Sequence, residues 1–194
     1  TANDLKQLLL NIDRKGYPFL KEYRFTVAEI KDLVRKMIIL VDSREKRNQH
    51  ILAYFEKQGI PYQVTKLDFG DYSFLLPASA AGIDLYFHQD ICIKRKATLE
   101  ELSGNLAQKR QLFETEFLKA GNNGAKVYLM VEHPGGYTDI INHAYKTELS
   151  PVAFMASLKT WESRFGCNVQ FIDNQYSGYF IVSTFQYYAR EKLK

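Results

Sequence analysis

The chain has 194 residues and a mass of 22.5 kDa, a length that suits one hydrophobic core and leaves no room for several modules. Hydrophobic residues make up 46% and charged residues 25%, a globular balance that excludes a disordered or fibrous chain. The net charge of +4 and pI near 8.9 permit an anionic partner without demanding one.

The two cysteines, Cys92 and Cys167, lie in apolar stretches and cannot supply a disulfide framework or a four-ligand zinc site. No apolar run approaches the roughly 18 residues of a membrane helix, and no signal-peptide pattern opens the chain. A soluble protein of a reducing, intracellular compartment is expected, with no membrane partner. The first residue is Thr1, as in a processed or trimmed chain.

Residues 1–25 carry no strong periodicity and are read, with the helix that follows, as an N-terminal helical extension over 1–36. Thr26 and Glu29 form a capping box, and Val27, Ile30, Leu33, Val34 and Met37 recur at helical spacing. Residues 38–41 are an uninterrupted apolar run, which predicts a central strand buried on both faces. After a loop over 42–47, Asn48 can cap a helix carrying Ile51, Leu52 and Phe55, with Gly59 as its C′ residue. Residues 62–67 and 72–76 read as strands of a hairpin joined through Asp68-Phe69-Gly70-Asp71.

Residues 83–96 are expected to be extended. Thr98 and Glu101 then open a helix running through Leu102, Leu106, Phe113 and Phe117, with Gly104 as the point where it breaks. A strand over 125–132, a loop at 133–136, a helix from Ser150-Pro151 to Gly166, a strand over 168–172 and a terminal helix over 176–193 complete the chain. This order predicts an α/β fold, a mixed central sheet flanked by helices, as a single domain over 37–194.

Three polar clusters follow or sit on the apolar strands: Asp42-Ser43-Arg44-Glu45, Gly70-Asp71 and Lys94-Arg95-Lys96. Singly, each has an ordinary account as a helix cap, a turn aspartate or a solvated edge. Together they resemble what a metal-dependent phosphodiesterase needs: carboxylates for a hard divalent cation and a lysine to orient or activate the attacking water. On an extended segment residues 94 and 96 share a face and residue 95 takes the other. Lys94 and Lys96 can therefore both face the cluster that holds Asp71.

Val41-Asp42-Ser43-Arg44-Glu45, Gly70-Asp71, Arg95-Lys96 and Thr98-Leu99-Glu100-Glu101-Leu102 resemble, in order, the nuclease domain of the XPF family. That family's signature is Gly-Asp, then Glu-Arg-Lys, three residues and Asp. The resemblance runs from about Met37 to the C-terminus. It implies a restriction-endonuclease-like fold and a magnesium- or manganese-dependent endonuclease that cuts branched or flap-like DNA. Asp71, supported by Asp42 and Glu45, would hold the metal, Lys96 would be the catalytic lysine, and Arg44 and Arg95 would orient groups or contact phosphate. Stand-alone relatives resemble proteins of bacteriophages and bacterial genomes, which implies the cytoplasm of a bacterial or phage-infected cell and a setting in DNA repair or recombination.

Two positions depart from the signature. Glu100 stands at the terminal Asp, keeping a supporting carboxylate. Lys94 stands where the family has Glu, placing a cation at a metal-ligand position. At about 4 Å and an effective dielectric near 20, one unit pair is worth roughly 4 kcal/mol, so exchanging attraction for repulsion weakens metal binding by about a thousandfold or more. Poor cleavage is expected.

Three accounts of Lys94 stand open: an engineered inactivating substitution, a natural non-catalytic nuclease relative that binds branched DNA, or a relocated carboxylate. Retention of Asp42, Glu45, Asp71 and Lys96 favours the first. In the second, the Lys94 ammonium pairs with a backbone phosphate. Asp90, on the same strand face, lies about 13 Å away along an extended strand, too far to replace the missing ligand.

Lys109 and Arg110 are further candidates for phosphate contact. The aromatic residues Tyr176, Tyr179, Phe180, Phe185, Tyr187 and Tyr188 of the last helix point to core packing or a homodimer contact. The four histidines show no metal-ligand spacing and are given no role.

Overall fold

The apolar run after the first helix becomes an inner strand of a seven-stranded mixed sheet in the computed structural model, which describes residues 24–77 and 84–194. The expected extension before residue 24 lies outside the described residues. Helix α1 (Val27–Arg35) starts with the expected capping box at Thr26. Strand β1 (Ile38–Asp42) is buried at four of its five residues. Helix α2 (Gln49–Lys57) carries the chain to β2 (Tyr62–Thr65), parallel to β1. Asn48 takes the N-cap position of α2 without a side-chain cap bond, and Gly59 follows the helix at φ 64°.

The predicted hairpin does not form. Strand β3 (Tyr72–Leu76) pairs antiparallel with the opposite edge of β1, so Ile39 faces Tyr62 on one side and Phe74 on the other. An apolar strand such as β1 hides both hydrogen-bonding edges only between two partners, whereas β2, with Gln63 and Val64 exposed, tolerates the sheet edge. Residues 66–71 therefore cross the end of β1 rather than turn tightly.

The expected extended segment over 83–96 divides at a turn into β4 (Leu85–Tyr86) and β5 (Ile91–Lys96), both antiparallel to β3. Helices α3 (Leu99–Leu106) and α4 (Arg110–Asn122) lead from β5 to the parallel β6 (Lys126–Val131). Their break falls at 107–109, beyond Gly104. A short helix α5 (Gly136–Ile141) opens directly from the predicted loop, and α6 (Pro151–Phe165), stopped by Gly166 at φ 60°, leads to β7 (Asn168–Phe171), parallel to β6. A 3₁₀ turn over Asn174–Tyr176 precedes α7 (Ser177–Leu193). The sheet order is β2-β1-β3-β5-β6-β7, with β4 beside β3.

The sheet separates two cores. On one face α1, α2 and α7 pack against Ile39, Val41, Phe74, Ile91 and Ile93, and Ile30 and Leu33 of α1 share that core with Phe185 of α7. On the other, α3, α4 and α6 cover Cys92, Val127, Leu129 and Val131. Successive residues of a strand face opposite ways, so Arg95 continues the row of Ile91 and Ile93 while Lys94 and Lys96 continue that of Cys92. No helix among the described residues is long and apolar enough to cross a membrane.

Candidate active site

The loop after β1 and the strands β3 and β5 meet at a pocket of about 370 Å³ lined by Asp42, Glu45, Asp71, Lys94, Lys96 and Glu116, among others. Backbone bonds register its parts: the Asp42 amide donates to the Asp71 carbonyl at 2.8 Å and the Asp71 amide to the Ile93 carbonyl at 2.9 Å. Gly70 explains the Gly-Asp pair. It has φ 75°, and a Cβ there would lie 2.6 Å from the Cys92 Cβ, so only glycine lets Asp71 approach β5 this closely.

Each acid of the pocket is already engaged. Asp42, 1% exposed, accepts from the Arg44 amide and Nε at Oδ1, and from Arg44 Nη2 and the Leu67 amide at Oδ2. Burial opposes its ionisation, but these hydrogen bonds outweigh burial and hold the carboxyl below its ordinary value. Asp71 Oδ2 accepts from the Arg95 amide at 2.7 Å and Oδ1 from Lys94 Nζ at 3.0 Å. The same ammonium lies 2.9 Å from Glu116 Oε2. Burial disfavours the charged lysine, but Asp71 and Glu116 more than offset it, and its pKa stands above the usual lysine value. Glu45 accepts from Arg95 Nη1 at 3.2 Å and from the Arg47 amide at 3.1 Å, and burial together with the nearby Asp71 charge raises its pKa.

Lys96 points to the same side as Lys94. Its ammonium donates to Glu101 Oε1 at 3.2 Å and lies 5.1 Å from the Phe113 ring centroid. Arg95 points the other way and joins a closed network. Its Nη2 lies 2.7 Å from Glu132 Oε2, while Glu132 Oε1 is 2.6 Å from both His50 Nε2 and Ser177 Oγ.

Three expected participants lie elsewhere. Glu100 Oε1 accepts from the Lys146 amide at 3.1 Å, and Glu101, one residue on, turns to the pocket instead. Arg110 stacks its guanidinium 4.6 Å over the Trp161 ring, against α6, and Lys109 is exposed at the start of α4; neither lines the pocket. Conversely, Lys46, Arg47, Glu101 and Glu116 line the pocket unannounced, and His50, Ser177 and Glu132 form the network behind it. Glu132 carried a usable signal, since it follows a buried parallel strand at the end where functional groups gather. Glu116 carried none, because it reads as an ordinary polar position between Phe113 and Phe117.

Magnesium and manganese are hard cations that demand several oxygen ligands. Here Asp42 serves Arg44 and Leu67, Asp71 serves Lys94 and Arg95, and an ammonium stands between Asp71 and Glu116. No group of three or more His, Cys, Asp or Glu among the described residues is placed to hold a metal ion. The residues present do not fit the divalent ion that the family implies.

A family model described as the ERCC4 domain matches residues 41–184. Among solved structures, XPF from Aeropyrum pernix superposes with a TM-score of 0.58 at 21% identity, over 79% of this chain and 65% of that one. XPF from Aeropyrum pernix in complex with DNA gives 0.57 at 20% identity, over 81% and 67%. The chain thus spans slightly less than two thirds of the first of these. A search of curated proteins returned no significant match. With the domain model covering most of the sequence and the Gly-Asp turn and the Arg-Lys strand in place within a fold shared with XPF, the chain belongs to the ERCC4-domain family.

Proposed function

We propose that this domain engages branched, flap or junction DNA at the Asp71 pocket and that Lys94 impairs its phosphodiester hydrolysis. The observation that carries this reading is the Lys94 ammonium held against Asp71 at 3.0 Å, in a pocket that keeps Asp42, Glu45, Asp71 and Lys96. The DNA complex of the Aeropyrum pernix structure supports the choice of partner. Arg44, Lys46 and Arg47 on the pocket rim contact phosphates, which gives sequence-independent binding that weakens with salt. Lys96 stands at the position of the family's catalytic lysine. Magnesium- or manganese-dependent cleavage is assigned to the site with glutamate at position 94 rather than to the chain as it stands.

The test is cleavage of labelled flap, fork and duplex DNA with magnesium or manganese. Lys94→Glu should cut about a thousandfold faster than the parent chain, and Lys94→Glu/Asp71→Ala should not cut. Equal cutting by parent and Lys94→Glu would overturn the role given to position 94. A second reading, a non-catalytic binder of branched DNA, draws support from Glu116, which holds Lys94 from the far side of the pocket. It takes the lead if neither version cuts while both bind branched DNA in a chelator.

The exposed Tyr176, Tyr179 and Tyr187 beside Tyr128 and Ile172 support a homodimer through α7. A monomeric mass by light scattering at working concentration would refute it. The cellular setting we propose is the cytoplasm of a bacterial or phage-infected cell.

A further inference from the structure

The pocket lacks the ligands for a divalent ion but not a cation. Lys94 leaves β5 beside the Gly70 turn, passes Cys92 and Phe117, and ends between two carboxylates. One, Asp71, comes from the strand side, and the other, Glu116, from the middle of α4, with Nζ at 3.0 and 2.9 Å. The lysine side chain is 15% exposed and Asp71 12%, so neither charge is left to bulk water. An ammonium has three donors, of which these contacts use two. Its tether makes the interaction intramolecular, so a diffusing ion must displace a group already at high effective concentration.

We propose that the Lys94 ammonium is the resident cation of this site and that Glu116 is the residue that retains it, the two forming with Asp71 a clamp that stands in for a divalent metal. The assignment rests on the family reading of the pocket and adds to it a role for Glu116, a residue outside the family signature. Its physical basis is that Glu116 supplies a second negative charge to the Lys94 ammonium, which Asp71 alone would otherwise have to hold. Removal of the tethered cation leaves two carboxylates facing one position, the minimum from which a manganese ion can be held with water completing its shell.

Manganese alone, without DNA, tests this by calorimetry and by the loss of the free-ion electron-resonance signal. The parent chain should show no saturable binding, and Lys94→Ala should bind at least about 100-fold more tightly than the parent. Adding Glu116→Gln to Lys94→Ala should weaken that binding by about 10- to 100-fold. Lys94→Met keeps the stem against Phe117 and carries the same test if Lys94→Ala does not fold. Saturable binding by the parent equal to that of Lys94→Ala overturns the proposal, as does equal binding with and without Glu116, or no binding by either folded lysine variant. Cleavage by Lys94→Glu with manganese binding indifferent to Glu116 would refute the clamp and leave the nuclease reading standing.

Discussion

Lys94 and Arg95 are neighbours on β5, but their charges meet different surroundings on the two sides of the sheet. On the α2 and α7 side, the Arg95 side chain is 5% exposed and is paired with Glu45 and with Glu132, itself 3% exposed and also bonded by His50 and Ser177. On the α3 and α4 side, Lys94 and Lys96 meet Glu116 and Glu101, which are 37% and 46% exposed. The first arrangement ties β5, β6, α2, α7 and the loop after β1 into one closed network. The second lines an open pocket, where Lys94 also meets the half-enclosed Asp71 but Glu116 and Glu101 sit on helices facing water. Low dielectric makes the closed pairs costly to break, whereas on the open side water reaches Glu116 and Glu101 and can solvate them when their contacts are exchanged for a ligand.

Glu132→Ala tests the closed side most severely. It strands a buried guanidinium beside Glu45 alone and should lower stability by about 3–5 kcal/mol, read by chemical denaturation. Glu132→Gln keeps the shape and loses the charge, and should cost about 2 kcal/mol at neutral pH. It should also change the pH dependence. Burial pushes the Glu132 carboxyl up, but Arg95, Ser177 and His50 pull it further down, so its folded pKa lies below the ordinary 4.5. Such a group stabilises the fold above its unfolded pKa and loses that contribution as pH falls through the folded value. Stability of the parent should therefore drop on acidification below about pH 5, and Glu132→Gln should flatten that limb.

The smallest effect belongs to the open side. Lys94→Met keeps most of the stem packing and frees Asp71 and Glu116, of which Glu116 is open to water and readily solvated, and should cost about 1 kcal/mol. A cost equal to that of Glu132→Ala would erase the contrast between the two faces and make Lys94 a structural cation.

Much of the fold was readable because it rests on local rules. The capping residues Thr26, Thr98 and Ser150 accept from the backbone three positions on, as expected, and the loop acids, the Gly-Asp turn and the basic strand do converge on one pocket. The hairpin reading failed because a turn-rich link between two strands does not reveal that a third strand lies between them. Glu100 holds the signature position while Glu101 reaches the pocket, because spacing within a signature counts positions but not the direction of side chains around the first turn of α3.

By itself the sequence determined most of the helical and extended segments, and the parity that puts Lys94 and Lys96 on one face of β5 and Arg95 on the other, since both follow from backbone geometry over a few residues. Tertiary structure alone decided that β1 separates β2 from β3, that Glu132 closes over Arg95, and that Glu116, 22 residues further along the chain, confronts Lys94. The Glu116 pairing depends on how α4 packs across the sheet to bury Phe113 and Phe117, and a charge on a helix surface declares its partner only after that packing has set the register.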